Sequence, residues 1–212
     1  MDKLPVIIFG ATGLGAAALD AFQSNGVVVY GFLDEDEALH GTEINYVGVL
    51  GDPKDDGYLK LIGKKCSAFI ASDDNIVREE LVEMLNERRK VMPANAVHPQ
   101  AMVAETAEIG YGSFIQMGAA INSQTKVGNH CLIHPNASVN YSVTLEDFVQ
   151  VGAGSNIGAN VQVGEKAFIG SGVTIVAGVK IGANARIGAG SVVIKDVEEG
   201  ETVFGNPAQV VK

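Results

Sequence analysis

Clustered basic charge, abundant cysteine and long apolar runs are all missing from this chain, and each absence closes off a class of function. Its 15 lysines and arginines are scattered among 25 aspartates and glutamates over 212 residues, for a net charge of −10. A nucleic-acid partner is therefore disfavoured, and the acidity reads mainly as solubility. Cysteine occurs only twice: Cys66 and Cys131 fall in different halves amid apolar neighbours, which suits reduced core thiols better than a disulfide framework. No charged-then-apolar leader opens the chain and no apolar run is long enough to span a bilayer, so the cytoplasm is the expected location. The length suits one large domain or two small ones.

What the chain has in excess is a six-residue aliphatic period. Every sixth residue from Val97 to Val193 is Val, Ile or Leu. Four residues after each of these the side chain is small or β-branched, as at Ala101, Ala107, Ser113, Ala119, Thr125, Cys131, Ala137 and Val143, and the residue just after is repeatedly Gly. A helix cannot keep such a period on one face, because six steps of about 100° rotate the side chain by about 240°. Short strands joined by corners can, and stacked they form a parallel β-helix with the aliphatic ladder inside. In a three-sided coil, vertical neighbours are eighteen residues apart and about 4.8 Å away. One column then stacks His98, Gln116 and His134 beneath Gly152, and another stacks Ala104, Asn122 and Asn140 beneath Gly158. The glycines from position 152 upward are expected to open space beside the ladder, and His130 is expected at a surface corner.

The first part of the chain has a different grammar. Val6–Phe9 reads as a buried strand, Gly10-Ala11-Thr12-Gly13-Leu14-Gly15 as a glycine-rich turn and Ala16–Gln23 as a helix; Val27–Leu33 and Ala68–Ala71 read as further strands. Ser72-Asp73-Asp74-Asn75 can cap a helix from about Ile76 to Arg88. Alternating strands and helices imply a parallel sheet covered by helices. The expected division is a Rossmann-like α/β domain over 1–92 and a β-helix over 93–212, joined by a crossing segment that carries Pro93. The glycine turn points backbone N–H groups at a helix N-terminus, where a phosphate is welcome. Its spacing is not the dinucleotide fingerprint, the second glycine coming one residue late. Asp34, about twenty residues on at a strand end, stands where a ribose hydroxyl is often held. Two readings stay open at this point: a nucleotide or nucleotide-sugar site, or tight helix-to-strand packing with a solvated Asp34.

The glycine turn, Phe32-Leu33-Asp34-Glu35, Phe69-Ile70-Ala71-Ser72-Asp73-Asp74-Asn75-Ile76-Val77-Arg78, the hexapeptide coil and the closing Val203-Phe204-Gly205-Asn206-Pro207-Ala208 together resemble the bacterial hexapeptide-repeat sugar acetyltransferases. The similarity is to the branch with sialic acid O-acetyltransferases and UDP-4-amino-sugar N-acetyltransferases. It implies a left-handed coil, a homotrimer, acetyl-CoA as cosubstrate in the cleft between neighbouring coils and a nucleotide sugar held by the N-terminal domain. The chemistry it implies is transfer of acetyl to an amino group or hydroxyl of that sugar, in surface-glycan synthesis. Carried over by position, Thr12, Gly13, Leu14, Asp34, Glu35 and Ser72 fall where that family contacts its nucleotide sugar, and Gln150, Ser171 and Ala189 where it contacts acetyl-CoA. Lys180, Arg186 and Lys195, in the last coils, are either partners for CoA phosphates or solvated charges.

The chain departs from that family at the proton acceptor. Where the family has a histidine flanked by acids, this sequence reads Asn140-Tyr141-Ser142; a later family histidine is Gln150, and one in the glycine turn is Leu14. General-base catalysis of this type contributes about 10²–10⁴-fold. A tyrosine is a poor base at neutral pH, since about a thousandth is ordinarily ionised, so Tyr141 is expected to position a substrate oxygen or bind a carbonyl. His134 is the candidate replacement base; a structural histidine over Gln116 is the alternative, and proton loss to water a third route. Three rivals follow. One is a trimer that binds nucleotide sugar or CoA without turnover. Another is a zinc hydratase of the same architecture, which the spacing of His98, His130 and His134 disfavours, so that no metal site is expected. The last is a Rossmann oxidoreductase, disfavoured because the coil offers no hydride-acceptor site.

Overall fold

The computed structural model describes residues 4–211 and divides into two compact units, Met1–His98 and Pro99–Lys212. In the first, a five-stranded sheet runs β3-β4-β2-β1-β5, from β1 (Val6–Phe9), β2 (Val29–Leu33), β3 (Glu43–Ile44), β4 (Val47–Gly51) and β5 (Ser67–Ile70). All pairings are parallel except the β3–β4 hairpin. The helices are α1 (Gly13–Ser24), the single-turn α2 (Asp56–Leu59) and α3 (Asn75–Arg89), with a 3₁₀ turn at Glu37–Leu39. Alternate residues of β1 serve the two layers. Ile7 and Phe9 join Leu33, Ile70, Leu81 and Leu85 in one core, while Phe22 of α1 meets Phe69 edge-on at 5.5 Å.

Two devices set the helix ends differently. Asp74 caps α3 by accepting from Ile76 N (2.7 Å) and Val77 N (3.4 Å), and Asp55 caps α2 by accepting from Gly57 N (2.6 Å). Thr12 precedes α1 without a side-chain cap bond, and no acid stands in the first turn of α1. The segment after α3 stays with this unit: Ala94 N donates to Ala68 O (2.8 Å), and Asn25 Nδ2 to Val97 O (2.7 Å). His98 pairs with Asp20 Oδ2 at 3.1 Å.

The second unit is a parallel β-helix of two-residue strands. Its first face holds Phe114–Ile115, Leu132–Ile133, Gln150–Val151, Phe168–Ile169 and Arg186–Ile187; the second runs from Met102–Val103 to Val192–Val193; the third runs from Glu108–Ile109 to Lys180–Ile181. Each strand pairs with the one eighteen residues on, as in Ile121↔Val139↔Ile157, until the last coil tightens to Ile187↔Val203 and Ile181↔Val197. The ladder residues from Ile115 to Val193 are buried, each stabilising by about 1.5–3 kcal/mol. The residue two before each ladder position also points inward, and Ser113, Ala119, Thr125, Cys131, Ala137, Val143 and Ser155 are fully buried. Only small or β-branched side chains fit these corners. Their hydroxyls bond backbone: Ser113 Oγ donates to Gly128 O (2.9 Å), Thr125 Oγ1 to Asn140 O (2.7 Å) and Ser155 Oγ to Gly170 O (2.8 Å).

Every sixth residue from Gly112 to Gly190 turns its corner in the left-handed region, at φ between 55° and 79°. Glycine and asparagine suit that conformation and histidine tolerates it, as at His130, whereas the bulky Phe148 does not suit it. These two lie one coil apart with ring centroids 4.9 Å from each other, and His130 is only 3% exposed. The expected surface corner is thus a stacked, buried one. A second correction concerns the glycines above position 152. A Cβ on Gly152 would stand 2.5 Å from Gly170 C and Ser171 N, one on Gly164 2.6 Å from Ala183 N, and one on Gly170 2.7 Å from Ala189 N. These glycines do not open space; the backbone of the next coil occupies it.

Candidate functional site

Strand order decides where a ligand fits the first unit. β1 has β2 on one side and β5 on the other, so the chain leaves the ends of these strands in opposite directions and a crevice opens between them. A cavity of about 380 Å³ lies there, lined by Phe9, Gly10 and Thr12 after β1, Leu33, Asp34 and Glu35 after β2, and Ala71, Ser72 and Asp73 after β5, with Pro53, Val77 and Leu81. Thr12, Asp34, Glu35 and Ser72, four of the six residues carried over for the nucleotide sugar, are brought together. Gly13 is exposed beside them, and Leu14 is buried against the core, so only its backbone N–H can reach a ligand.

Packing accounts for part of the glycine turn and not for the rest. Cβ atoms on Gly10 and Gly15 would collide with Ala71 O and Gly10 O, so tight packing demands those two glycines. Nothing lies within 4 Å of a Cβ built on Gly13, which packing leaves unexplained. The Asp34 carboxylate is not merely solvated: Oδ2 accepts from Ala11 N at 2.6 Å and Oδ1 from Asp36 N at 2.9 Å, which fixes the turn to the end of β2. Its carbonyl oxygen meets His40 Nε2 at 2.8 Å. Glu35 pairs with Lys54 Nζ at 2.8 Å, and that hydrogen bond and charge hold the exposed Lys54 ammonium above its ordinary pKa.

One neighbour of the cavity, the last residue of the 69–78 motif, was not singled out in sequence. Arg78 of α3 is 0% exposed; its Nη1 donates to Ser72 O at 2.6 Å and its Nη2 to Asn75 Oδ1. The guanidinium folds back onto the segment that forms one wall of the cavity.

On the coil, His134 follows the ladder residue Ile133 at the edge between first and second faces. Ser171 and Ala189 share that edge one coil apart, with Gly190 N donating to Ser171 O at 2.9 Å. Both are exposed. Gln150 lies within the first face between Leu132 and Phe168 and is only 5% exposed. Tyr141, 49% exposed, occupies the next edge, between Ser138–Val139 of the second face and Thr144–Leu145 of the third. Within one chain, then, the second face separates His134 from Tyr141. The Gln116–His134 stack is present, with Gln116 Nε2 3.2 Å from His134 Nδ1. An amide nitrogen can only donate, so Nδ1 is the acceptor of this contact.

Charge sorts the faces. Outward residues of the second face are Met102, Ala120, Ser138, Asn156, Thr174 and Val192, none charged, with a groove of about 380 Å³ at its lower end. The third face presents Glu108, Lys126, Thr144, Gln162 and Lys180. Lys180 shares a cavity of about 460 Å³ with Glu146, Asp196 and Glu198, while Arg186 lies 4.8 Å over the Phe168 ring. Among the described residues no group of three or more His, Cys, Asp and Glu could hold a metal, and no helix is long and apolar enough to cross a membrane.

Comparison with known proteins matches each unit. The PglD N-terminal domain model covers residues 5–85, the hexapeptide repeat of succinyl-transferase 124–159 and the bacterial transferase hexapeptide 160–195. No curated protein sequence matches significantly. Among solved structures, GDP-perosamine N-acetyl transferase from Caulobacter crescentus, a His-to-Ala mutant in complex with CoA and GDP-perosamine, is 30% identical with a TM-score of 0.90, over 98% of this chain and 97% of that one. WeeI from Acinetobacter baumannii is 25% identical (TM-score 0.78), over 99% of this chain and 100% of its own. The acetyltransferase domain of PglB from Neisseria gonorrhoeae, in complex with acetyl coenzyme A, shares the fold at 24% identity and TM-score 0.89, over 99% and 100% of the two chains. The parallel coil described above is the left-handed β-helix of these proteins.

Proposed function

The chain belongs to the hexapeptide-repeat sugar acetyltransferases, and we propose that it moves an acetyl group from acetyl-CoA to an amino group, or a hydroxyl, of a nucleotide-linked sugar in bacterial surface-glycan synthesis. The observation that carries this reading is the reach of the likeness: 98% of the chain, both units included, follows an enzyme that holds CoA and GDP-perosamine. The cavity at the ends of β1, β2 and β5 takes the nucleotide sugar, with the uncapped N-terminus of α1 toward its phosphates and Thr12, Gly13, Leu14, Asp34, Glu35 and Ser72 as contacts. Acetyl-CoA lies along the edge that carries Ser171 and Ala189, with Gln150 nearby on the first face. The protein works as a cytoplasmic homotrimer, and the uncharged second face supports its packing against another copy.

Chemistry follows from the bonds available. The sugar nitrogen attacks the thioester carbonyl, a C–N bond forms, the C–S bond breaks and CoA leaves as a thiolate that takes up a proton from water. The His134 lone pair at Nδ1 is engaged by Gln116, so its role is to donate from Nε2–H to the developing oxyanion. Tyr141, supplied across an interface, positions the acceptor. The amine arrives unprotonated, and its proton passes to water. The test is acetyl transfer from acetyl-CoA to GDP- and UDP-linked 4-amino sugars, with thermal shift by acetyl-CoA alongside. Turnover with kcat/KM following the substrate amine's own titration supports the reading. Binding of both ligands without turnover would instead favour a non-catalytic relative.

A further inference from the structure

We propose that Arg78 is a positioning residue for the nucleotide sugar: from behind the cavity wall it holds the Ser72–Asn75 segment in its ligand-receiving shape and supplies a permanent positive charge there. This rests on the reading of the cavity as the nucleotide-sugar site. A fully buried arginine is expensive to keep, because its charge leaves water. A residue that served α3 alone could be apolar, like Leu81 and Leu85, which face the same core. Arg78 instead turns toward the N-terminus of α3 and bonds Ser72 O at 2.6 Å and Asn75 Oδ1. α3 is already capped by Asp74 through Ile76 N and Val77 N, so the guanidinium is not needed to finish the helix. What its planar fork adds is a fixed path for the chain from β5 through Ser72.

Electrostatics give the second argument. The cavity is lined by Asp34, Glu35 and Asp73, with Asp74 close by in sequence, an unwelcoming set for a nucleoside diphosphate. Glu35 is answered by Lys54, and Asp34 by the backbone N–H groups of Ala11 and Asp36. On the β5 side, the Arg78 guanidinium stands behind Ser72. It stays charged at any working pH, so the wall it holds is also the wall whose acidity it offsets.

The test compares wild type, Arg78→Lys and Arg78→Gln for GDP and UDP binding by calorimetry, and for KM of nucleotide sugar and of acetyl-CoA in steady state. Helical circular dichroism monitors folding of the first unit, since every described α-helix lies there. Arg78→Lys keeps the charge and loses the fork; it is expected to weaken nucleotide binding about tenfold and to raise KM for the sugar, with KM for acetyl-CoA unchanged. Arg78→Gln, lacking both, is expected to weaken it further. Unchanged nucleotide affinity in folded Arg78→Lys would overturn the proposal, as would a parallel loss of both substrates with a reduced helical signal. Wild-type protein that binds no nucleotide would overturn the underlying assignment of the cavity itself.

Discussion

The glycines of the coil's ladder edges and the glycine turn of the α/β unit compare instructively, and the difference bears on the proposed ligand site. In the coil, Gly152, Gly164 and Gly170 lie directly against backbone of the next turn, so a side chain has nowhere to go. In the α/β unit, Gly10 and Gly15 are likewise hemmed in, but Gly13 borders open space at the uncapped start of α1. A glycine required by its neighbours reports packing; one that packing does not require, beside a cavity, leaves room there for the proposed ligand. The contrast breaks first at Gly170→Val. Its Cβ would stand 2.7 Å from Ala189 N and 2.9 Å from Ala189 Cα, atoms that cannot move without shifting a coil. The expected loss is about 3 kcal/mol or more by chemical denaturation. Gly13→Ala should leave stability unchanged or raise it by up to about 1 kcal/mol, while nucleotide affinity falls. A destabilised Gly13→Ala with intact nucleotide binding would erase the distinction.

The coil was almost wholly legible because one rule, repeated, decides both inward positions: an aliphatic ladder residue and a small corner residue two places earlier. Eighteen-residue columns even placed Gln116 beneath His134. Period alone could not reveal corner conformation, so His130, stacked on Phe148 in a left-handed corner, was misread as surface. Nor could it show that a missing side chain is filled by backbone above. The α/β unit was legible in its long apolar strands and in the turn–Asp34 pair, whose link is the Ala11 N–H. Its hairpin and single-turn α2 went unread, because two- and four-residue elements carry too little pattern. Arg78 was hidden for another reason: sequence displays a charge but not its burial.

A smaller effect sharpens the division of labour between the units. Ser171→Trp puts a bulky ring on the exposed edge shared with Ala189. Acetyl-CoA affinity is expected to fall about tenfold or more, with GDP and UDP binding unchanged and the melting temperature held. Unaltered CoA affinity would remove acetyl-CoA from that edge and return the three basic residues of the last coils to plain solvation.

The smallest expected effect is a pH dependence that belongs to the first unit alone. Cys66 is buried beside Ile62 and Leu59 in the first unit's core, and desolvation raises its thiol pKa above 9.0. A raised folded-state value means that the unfolded chain loses this proton first, so stability is intact below the unfolded pKa and declines as pH rises through the window above it. Alkaline titration of thermal unfolding should therefore show a downward slope beginning near pH 9. Cys66→Ala should flatten that slope at a modest constant cost from the lost sulfur, whereas a variant with the full wild-type slope would show that the thiol is not the group titrating. Because the helical signal reports only the first unit, the slope should appear there, leaving the coil's unfolding as the reference against which it is read.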